Sequence, residues 1–290
     1  MALANLKPII SWLPEEALEE VATSSYWNDP ELEKEKEWHL EDIADLKAIR
    51  YIREETNLEE AFRAGILFLE EWLGHELQGV CLDLGAGVCW TSALLAKKPR
   101  LNRVVAVEIS RHRLESLAPL VLRQYQAPEE KVIRVLGDFA EIKLEDNSVD
   151  VVVMCQAFHH AVQVEKLLKE VVRVLSPGGG FLVTGERLVF WKEYLDKILR
   201  HNFKSLVIAL RMEKYLALLR GRVLSRPSKP FGLGWDRVCP YDPVTGDHYY
   251  SPGMVEKMFK RAGLEMRFQP LRKVPGKIPM ANCNYIARKL

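Results

Sequence analysis

The sequence predicts an α/β fold built on a parallel β-sheet, and three observations point to it. Between residues 61 and 186, apolar runs rich in β-branched residues alternate with segments of helical periodicity, the order typical of successive βαβ units. The run at residues 150–154 is apolar without polar alternation, which indicates a strand buried on both faces. The segment Ser-Pro-Gly-Gly-Gly at residues 176–180 then separates a helical pattern from the next strand.

The individual elements follow from local patterns. A helix is predicted before residue 176 because apolar residues recur there at helical spacing, at Leu167, Leu168, Val171, Val172 and Leu175. A second helix follows the Ser251-Pro252 pair, since proline suits the first helical position, and ends at Gly263. The predicted strands, in chain order, are Gly79–Leu84, Arg103–Glu108, Val132–Leu136, Val149–Met154, Gly180–Thr184, Leu264–Gln269 and Asn282–Arg288.

The 290 residues divide into four predicted zones around one sheet. Residues 1–60 are predicted to form a helical N-terminal cap that offers no strand, because acidic residues cluster after Pro14 in the manner of a helix start. Residues 61–186 form the α/β core, and residues 251–290 add its last helix and two strands. Residues 187–250 interrupt the sheet pattern with an amphipathic helical stretch and a proline-rich loop, and are predicted to be an insertion that covers the acceptor.

Composition narrows the class of protein. With 48% hydrophobic and 28% charged residues, the chain is typical of globular proteins and unlike disordered, collagenous or coiled-coil chains. No apolar run reaches the length of about 18–20 residues that a membrane helix needs, and the N-terminus does not resemble a signal peptide. The five cysteines show no Cys-x-x-Cys spacing, which favours reduced thiols and a cytoplasmic location. No spacing typical of metal ligands is present, so no metal is predicted.

Charge is balanced overall but unevenly distributed. The net charge is +1, which favours neither nucleic acid nor membrane as a partner. Residues 15–60, however, hold sixteen acidic and five basic residues, whereas residues 187–237 hold twelve basic and four acidic residues. The basic stretch could bind an anionic acceptor, contact a lipid surface peripherally, pair with the acidic zone or simply be solvated.

The segment that carries chemistry lies at the end of the first predicted strand. There the sequence reads Asp83-Leu84-Gly85-Ala86-Gly87, followed by a helical pattern. Glycines at these positions allow a tight turn and a close approach of the backbone to a ligand. A dinucleotide fingerprint requires a further glycine where Trp90 stands. A carboxylate before the first glycine repels a pyrophosphate but suits an ammonium group, which favours S-adenosylmethionine (SAM).

Further side chains at successive strand ends support this interpretation. Glu108 ends the next strand and can accept hydrogen bonds from both ribose hydroxyls. Asp138 can accept from the adenine amino group, and Phe139 can lie against the ring. The predicted cofactor-binding residues are Asp83, Gly85, Ala86, Gly87, Glu108, Ile109, Asp138, Phe139 and Gln156.

These motifs resemble those of class I SAM-dependent methyltransferases. The resemblance covers residues 60–186 and the last two strands, and is greatest to small-molecule enzymes such as the ubiquinone/menaquinone-type C-methyltransferases. It implies a Rossmann-like sheet of seven mostly parallel strands, the last one antiparallel, with helices on both faces. One departure is Cys89, which stands where the family often has a third glycine.

Two adjacent histidines are the candidate catalytic residues. His159 and His160 follow the fourth predicted strand, where the acceptor should meet the sulfonium, and an imidazole there could remove a proton. Either could instead only hydrogen-bond SAM or the backbone. Glu186 is a weaker polar candidate. Aromatic residues that could line the acceptor pocket, or merely pack in the core, are Tyr26, Trp27, His248, Tyr249 and Tyr250.

The favoured function is transfer of the SAM methyl group to a small, partly apolar or anionic acceptor by direct in-line displacement. One alternative is a methyltransferase acting on RNA or protein, for which the basic stretch is the only support. Nucleic acid is disfavoured because the residues after the fourth strand, Cys155-Gln156-Ala157-Phe158, lack the Asn/Asp-Pro-Pro-aromatic motif. A second alternative is a SAM-binding module without catalysis. The sequence leaves the oligomeric state open.

Overall fold

A computed structural model describes residues 7–14, 47–161, 163–186, 248 and 250–290. The helices predicted from about residues 15 and 31, and the helical insertion after residue 187, lie outside the described residues. So do the pocket candidates Tyr26, Trp27 and Tyr249. The division of the chain into four zones therefore stays a prediction.

Eight strands form one sheet. Their bounds are β1 Ile10–Ser11, β2 Gly79–Leu84, β3 Leu101–Glu108, β4 Val132–Leu136, β5 Val149–Cys155, β6 Leu175–Glu186, β7 Leu264–Pro270 and β8 Cys283–Lys289. The spatial order is β1-β4-β3-β2-β5-β6-β8-β7. Strand β8 is antiparallel to both of its neighbours, and the other paired strands run parallel. The mostly parallel sheet with an antiparallel last strand is confirmed, but it has eight strands rather than the seven that the resemblance implies.

Six α-helices surround the sheet among the described residues. They are α1 Lys47–Arg50, α2 Leu58–Leu73, α3 Trp90–Ala96, α4 Ala118–Gln124, α5 Val164–Val174 and α6 Pro252–Arg261. Helices α2, α3 and α4 contribute to the core on one face of the sheet, and α5 and α6 to the core on the other. Helices on both faces are therefore confirmed. No helix in the described part of the chain is long and apolar enough to span a membrane.

The central strand β5 shows why the sheet is buried. Val151 and Val153 face the core formed with α2 and α3, whereas Val152 and Met154 face the core formed with α5. Side chains alternate between the faces of a strand, so an unbroken apolar run is what a strand covered on both sides requires. The sequence-based interpretation of this run is confirmed.

Two differences from the predicted elements have local causes. The expectation that residues 1–60 offer no strand was wrong, because Ile10–Ser11 pairs with β4. Two residues are too few to show an alternating pattern. The fifth predicted strand begins earlier, at Leu175 rather than Gly180, because the chain extends directly from α5 through the Pro-Gly-Gly turn, with Gly178 at φ +77°.

A hydrogen-bonded clamp joins the start of α2 to the start of β8. Asn57 donates from Nδ2 to the Ala281 carbonyl at 2.6 Å and accepts from the Ala281 N–H at 2.9 Å. Next to it, the Ile278 N–H donates to the Glu55 carbonyl at 2.7 Å, and Lys277 contacts Glu60. The clamp holds the segment before β8 over the carboxyl edge of the sheet.

Candidate functional site

The site lies where the strand order reverses. Strands β2 and β5 are neighbours at the middle of the sheet, and the chain leaves them toward opposite edges. Open parallel sheets bind ligands in the crevice outside the carboxyl ends of such strands. The predicted residues Asp83 and Gln156 lie at these two strand ends.

The glycine loop after β2 is tightly built. Gly85 and Gly87 have φ of +69° and +55°, in the left-handed region that favours glycine. The N–H groups of Gly85 and Ala86 donate to the Val107 carbonyl at 2.9 and 3.0 Å, which ties the loop to β3. A Cβ atom at position 85 would lie 2.5 Å from the Ala157 Cβ, so the loop after β5 leaves no room for a side chain there.

Cys89 also adopts a left-handed conformation. Its φ is +64°, and its N–H donates to the Ala86 carbonyl at 2.8 Å. This is the position at which the resemblance expects a third glycine. The backbone therefore keeps the turn of the motif, although a side chain now makes that turn strained.

Asp83 is fully buried beneath the loop. Its Oδ2 accepts hydrogen bonds from the Thr91 and Ser92 hydroxyls of α3 at 2.7 and 2.5 Å. Its Oδ1 is buried and has no hydrogen-bond partner among the described residues. Burial raises the pKa of this carboxyl to about 6; the two hydroxyls oppose the shift, and the nearby Glu108 carboxylate adds to it. A buried oxygen without a partner is costly and indicates a polar group that arrives from a ligand.

Glu108, at the end of the neighbouring strand β3, holds the glycine loop through a hydrogen bond. Its Oε2 accepts from the Gly87 N–H at 2.8 Å, and its Oε1 accepts from the Ser110 N–H at 3.0 Å. A carboxylate offers about four lone-pair sites, so these two bonds orient the group and leave acceptor capacity for two hydroxyls. Ile109, the next predicted residue, is half-buried beside it.

Asp138 and Phe139 follow β4, as the sequence predicts. Asp138 Oδ1 accepts from the Ala140 N–H at 2.8 Å, and both side chains are half-buried. The Phe139 ring approaches within 3.8 Å of the Cβ position of Gly85, so the β4 end and the glycine loop meet. The sequence reasoning missed Trp12, whose ring lies 3.2 Å from the Cβ position of Gly137 and whose backbone N–H donates to the Leu136 carbonyl.

Gln156 is held by the protein itself. Its backbone has φ of +55°, and its Nε2 donates to the Gly185 carbonyl at 2.6 Å and to the Met280 carbonyl at 3.1 Å. Both amide protons are therefore used to join the ends of β5 and β6 to the segment before β8. Toward a cofactor, this side chain has its carbonyl oxygen to offer.

The two candidate catalytic histidines form part of a polar cluster beyond β5. The Nδ1 of His159 lies 3.1 and 3.3 Å from the two carboxylate oxygens of Glu186. The His160 ring centroid is 4.1 Å from that of His159. His248 donates its N–H to the His159 carbonyl at 2.7 Å, and its ring is stacked parallel to that of Tyr250.

The sequence did not predict several residues of the candidate site, and it predicted one of them only as a weak candidate. Thr91 and Ser92 orient Asp83, and their spacing eight and nine residues after it on a helix start was the available signal. Arg113 is buried with its Nη1 3.9 Å from the Cβ position of Gly87, and no sequence motif marks it. Glu186 was a weak candidate, because only the folded sheet shows that it meets His159.

Comparison with known proteins finds one matching family model. Residues 82–183 match the family model described as a methyltransferase domain. The match shows that this segment, about a third of the chain, is similar to the methyltransferase domain. The recognition of a class I methyltransferase from the sequence is confirmed, since the domain begins at the glycine-loop strand β2 and ends in β6.

The relatives of the methyltransferase domain match it over part of their length. Sterol 24-C-methyltransferase of Aspergillus fumigatus is 33% identical over 126 residues, which are 42% of this chain and 33% of that protein. An uncharacterised methyltransferase of Mycobacterium tuberculosis is 37% identical over 109 residues, which are 38% of this chain and 40% of that protein. The chain thus spans about a third to two fifths of the length of these relatives.

Solved structures share the fold. A chain of the complex between the Haloferax volcanii Trm112 methyltransferase activator and a methyltransferase covers 86% of this chain and 96% of its own length, with 14% identity and a TM-score of 0.53. The YcgJ protein of Bacillus subtilis covers 80% of this chain and 98% of its own length, with 16% identity and a TM-score of 0.51.

Proposed function

We propose that this protein transfers the methyl group of SAM to a small, partly apolar or anionic acceptor. SAM supplies an electrophilic methyl group on a positively charged sulfur. The protein supplies alignment and exclusion of water, which are the main requirements for transfer to a good nucleophile.

The observation that carries the proposal is the buried Asp83 carboxylate. Its Oδ1 lacks a partner among the described residues and lies under the glycine loop, which has no room for a side chain at position 85. An ammonium group, such as the one in the methionine part of SAM, satisfies this oxygen and compensates its charge. A pyrophosphate would instead be repelled, which argues against a dinucleotide.

We assign the other parts of the cofactor to the remaining predicted residues. We assign the ribose hydroxyls to Glu108, whose carboxylate is fixed by the N–H groups of Gly87 and Ser110. We assign the adenine to Asp138, Phe139 and Ile109, on the β4 side of the sheet. The acceptor then lies toward Gln156, His159 and His160, at the ends of β5 and β6.

The relatives support a small acceptor. The sterol methyltransferase of Aspergillus fumigatus acts on a sterol, by its name, and its similarity covers the domain that contains the cofactor site. No observation in the described structure favours RNA or protein as the acceptor, or binding of SAM without catalysis.

Calorimetric titration with SAM and with S-adenosylhomocysteine tests the proposal. The wild type is expected to bind both in the micromolar range. Asp83→Asn should weaken SAM binding at least 100-fold, because the neutral amide cannot compensate an ammonium charge. Asp146→Asn is the matched control: its carboxylate is exposed and pairs with Arg173, so binding should stay unchanged. Equal SAM affinity of the two variants would refute the assignment.

A further inference from the structure

Glu186 is a buried acid at the carboxyl end of β6. It is 6% exposed, and its described side-chain hydrogen bonds are those to Nδ1 of His159. An ionised carboxylate is expensive to bury unless a hydrogen-bonding partner compensates it. The pair lies at the strand end next to the predicted cofactor crevice, where the acceptor would meet the methyl group.

The contact decides the proton arrangement of the imidazole. A carboxylate only accepts hydrogen bonds, so the Nδ1 of His159 must be the protonated nitrogen of the ring. The basic lone pair is then on Nε2. This is the arrangement by which a carboxylate orients a histidine base and stabilises its imidazolium form.

The backbone fixes the same histidine from a second side. The His159 carbonyl accepts the His248 N–H at 2.7 Å and lies 3.2 Å from Nδ1 of His248. Because residue 248 lies near the end of the predicted insertion, far along the chain from both His159 and Glu186, the geometry of His159 depends on three separate parts of the chain. Such support is what a group that must hold one orientation needs.

We propose that His159 is a general base positioned by Glu186, and that the acceptor therefore carries its nucleophile as a hydroxyl group, as in a phenol or an enol. The inference rests on the proposed methyltransferase function and narrows its substrate class. Glu186 acts through His159 and is a positioning residue.

The step balances without any further reactant. The acceptor oxygen forms a bond to the methyl carbon while the bond between that carbon and sulfur breaks, and its electron pair stays on sulfur. The hydroxyl proton moves to Nε2 of His159, and the resulting imidazolium is compensated by the Glu186 carboxylate. The methylated acceptor leaves as an ether, and the proton is later lost to solvent.

Other titratable groups lie near the pair: the His160 and His248 imidazoles, the Tyr285 hydroxyl and the Cys155 and Cys283 thiols. The tyrosine and the two thiols experience the Glu186 charge. Burial raises the pKa of the Cys155 thiol and raises that of Cys283 to about 12, so both thiols stay neutral near pH 7.

The tautomer of His159 can be measured without knowing the acceptor. Protein labelled with ¹⁵N in its histidines, with S-adenosylhomocysteine bound, gives the protonation of each ring nitrogen from its chemical shift. A His159→Gln spectrum assigns the signals. The wild type is expected to show His159 protonated at Nδ1 alone, and Glu186→Gln should change this pattern. Glu265→Gln, an exposed acid on β7, is the control that should not.

A transfer assay tests the acceptor class. Labelled SAM is offered with 2-naphthol and with 2-vinylnaphthalene, which present a hydroxyl group and an alkene on the same ring system. We expect label in 2-naphthol, with a rate that falls as the pH is lowered and the base becomes protonated. Glu186→Gln should lower kcat about 10- to 100-fold while the KM for SAM changes less than threefold. Glu186→Asp should restore part of the rate.

The outcomes separate this inference from the function on which it rests. A protein that does not bind S-adenosylhomocysteine refutes the proposed function, whereas the imidazole spectrum of the free protein still reports on the pair. A wild-type His159 protonated at Nε2, a spectrum unchanged in Glu186→Gln, or transfer to the alkene alone would overturn the inference.

Discussion

The two halves of the site are built in different ways. At the ends of β2, β3 and β4, the hydrogen bonds that hold the acidic side chains span 2 to 21 residues: Asp83 with Thr91 and Ser92, and Glu108 with Ser110 and Gly87. The half at the ends of β5, β6 and β8 is set by contacts over 27 to 124 residues, such as His159 with Glu186 and Gln156 with Met280. A local motif can thus hold a cofactor that many proteins share, while distant segments shape the acceptor site.

Gly85→Ala should have the largest effect on the half of the site at the ends of β2, β3 and β4. The new Cβ would meet the Ala157 Cβ at 2.5 Å and sit at φ +69°. Overpacking and backbone strain together predict a loss of about 4 kcal/mol in the free energy of unfolding and of at least 100-fold in SAM affinity. Chemical denaturation and calorimetry measure the two.

Substitutions at two other glycines distinguish the effect of backbone strain from that of overpacking. Gly178 has φ +77° but no atom within 4 Å of its Cβ position, so Gly178→Ala should cost about 1 kcal/mol from strain alone. Gly253 has open space and no positive φ, so Gly253→Ala should be neutral or slightly stabilising. A loss for Gly85→Ala no larger than that for Gly178→Ala would contradict the close contact with the β5 loop.

Asp83→Asn should stabilise the ligand-free protein at pH 7.5. Because the folded pKa of about 6 lies above the usual value of 3.8, the folded state binds more protons than the unfolded state between these values. Wild-type stability should therefore rise as the pH falls through 6 toward 4, by about 3 kcal/mol in total. The variant lacks this gain and should exceed the wild type by a similar amount at pH 7.5. If the unfolding free energies of the two proteins depend on pH in the same way, burial does not raise the pKa of Asp83.

Asn57→Ala removes the clamp that joins α2 to β8, and so tests the half of the site at the ends of β5, β6 and β8. The variant leaves the buried N–H and carbonyl of Ala281 without their partner, which predicts a loss of about 2 kcal/mol. Hydrogen exchange should become faster at residues 278–286, while SAM affinity changes less than threefold. Asn102→Ala, at an exposed position of β3, is the control and should stay within about 0.5 kcal/mol. Equal losses in the two variants would refute the clamp.

Cys89→Gly should have the smallest effect. It tests whether the backbone of the glycine loop is strained at this position. Glycine relieves the strain at φ +64° but loses a buried thiol, whereas Cys89→Ala loses the thiol and keeps the strain. The glycine variant should be more stable than the alanine variant by about 1 kcal/mol, as measured by thermal denaturation. The reverse order would mean that the turn is not strained.

The fold and the cofactor half were predictable because their signals are local. The strand bounds Gly79–Leu84 and Val132–Leu136 coincide with the predicted ones, since apolar runs bounded by glycine or charged residues leave little choice of limits. The acids at the strand ends also follow from chain order alone, because parallel strands bring their carboxyl ends to one edge.

The rest required tertiary contacts that no pattern reveals. Trp12 reaches Gly137 through a two-residue strand, and Arg113 reaches Gly87 from the π-helical segment Arg113–Leu117, which no motif marks. Glu186 ends an apolar strand as many acids do, and its importance comes only from the loop of His159 folding back against β6. Side-chain pairs of this kind depend on the order of strands in the sheet.

The pH dependence of SAM affinity tests the proposed pairing of Asp83 with the SAM ammonium group. If the ammonium group of SAM pairs with the buried Asp83 carboxylate, a protonated Asp83 cannot bind it. Affinity should then be constant from pH 7 to about 6 and fall about tenfold per pH unit from 6 to 5, with proton release on binding near pH 6. Wild-type affinity that stays constant between pH 7 and 5 would contradict the account.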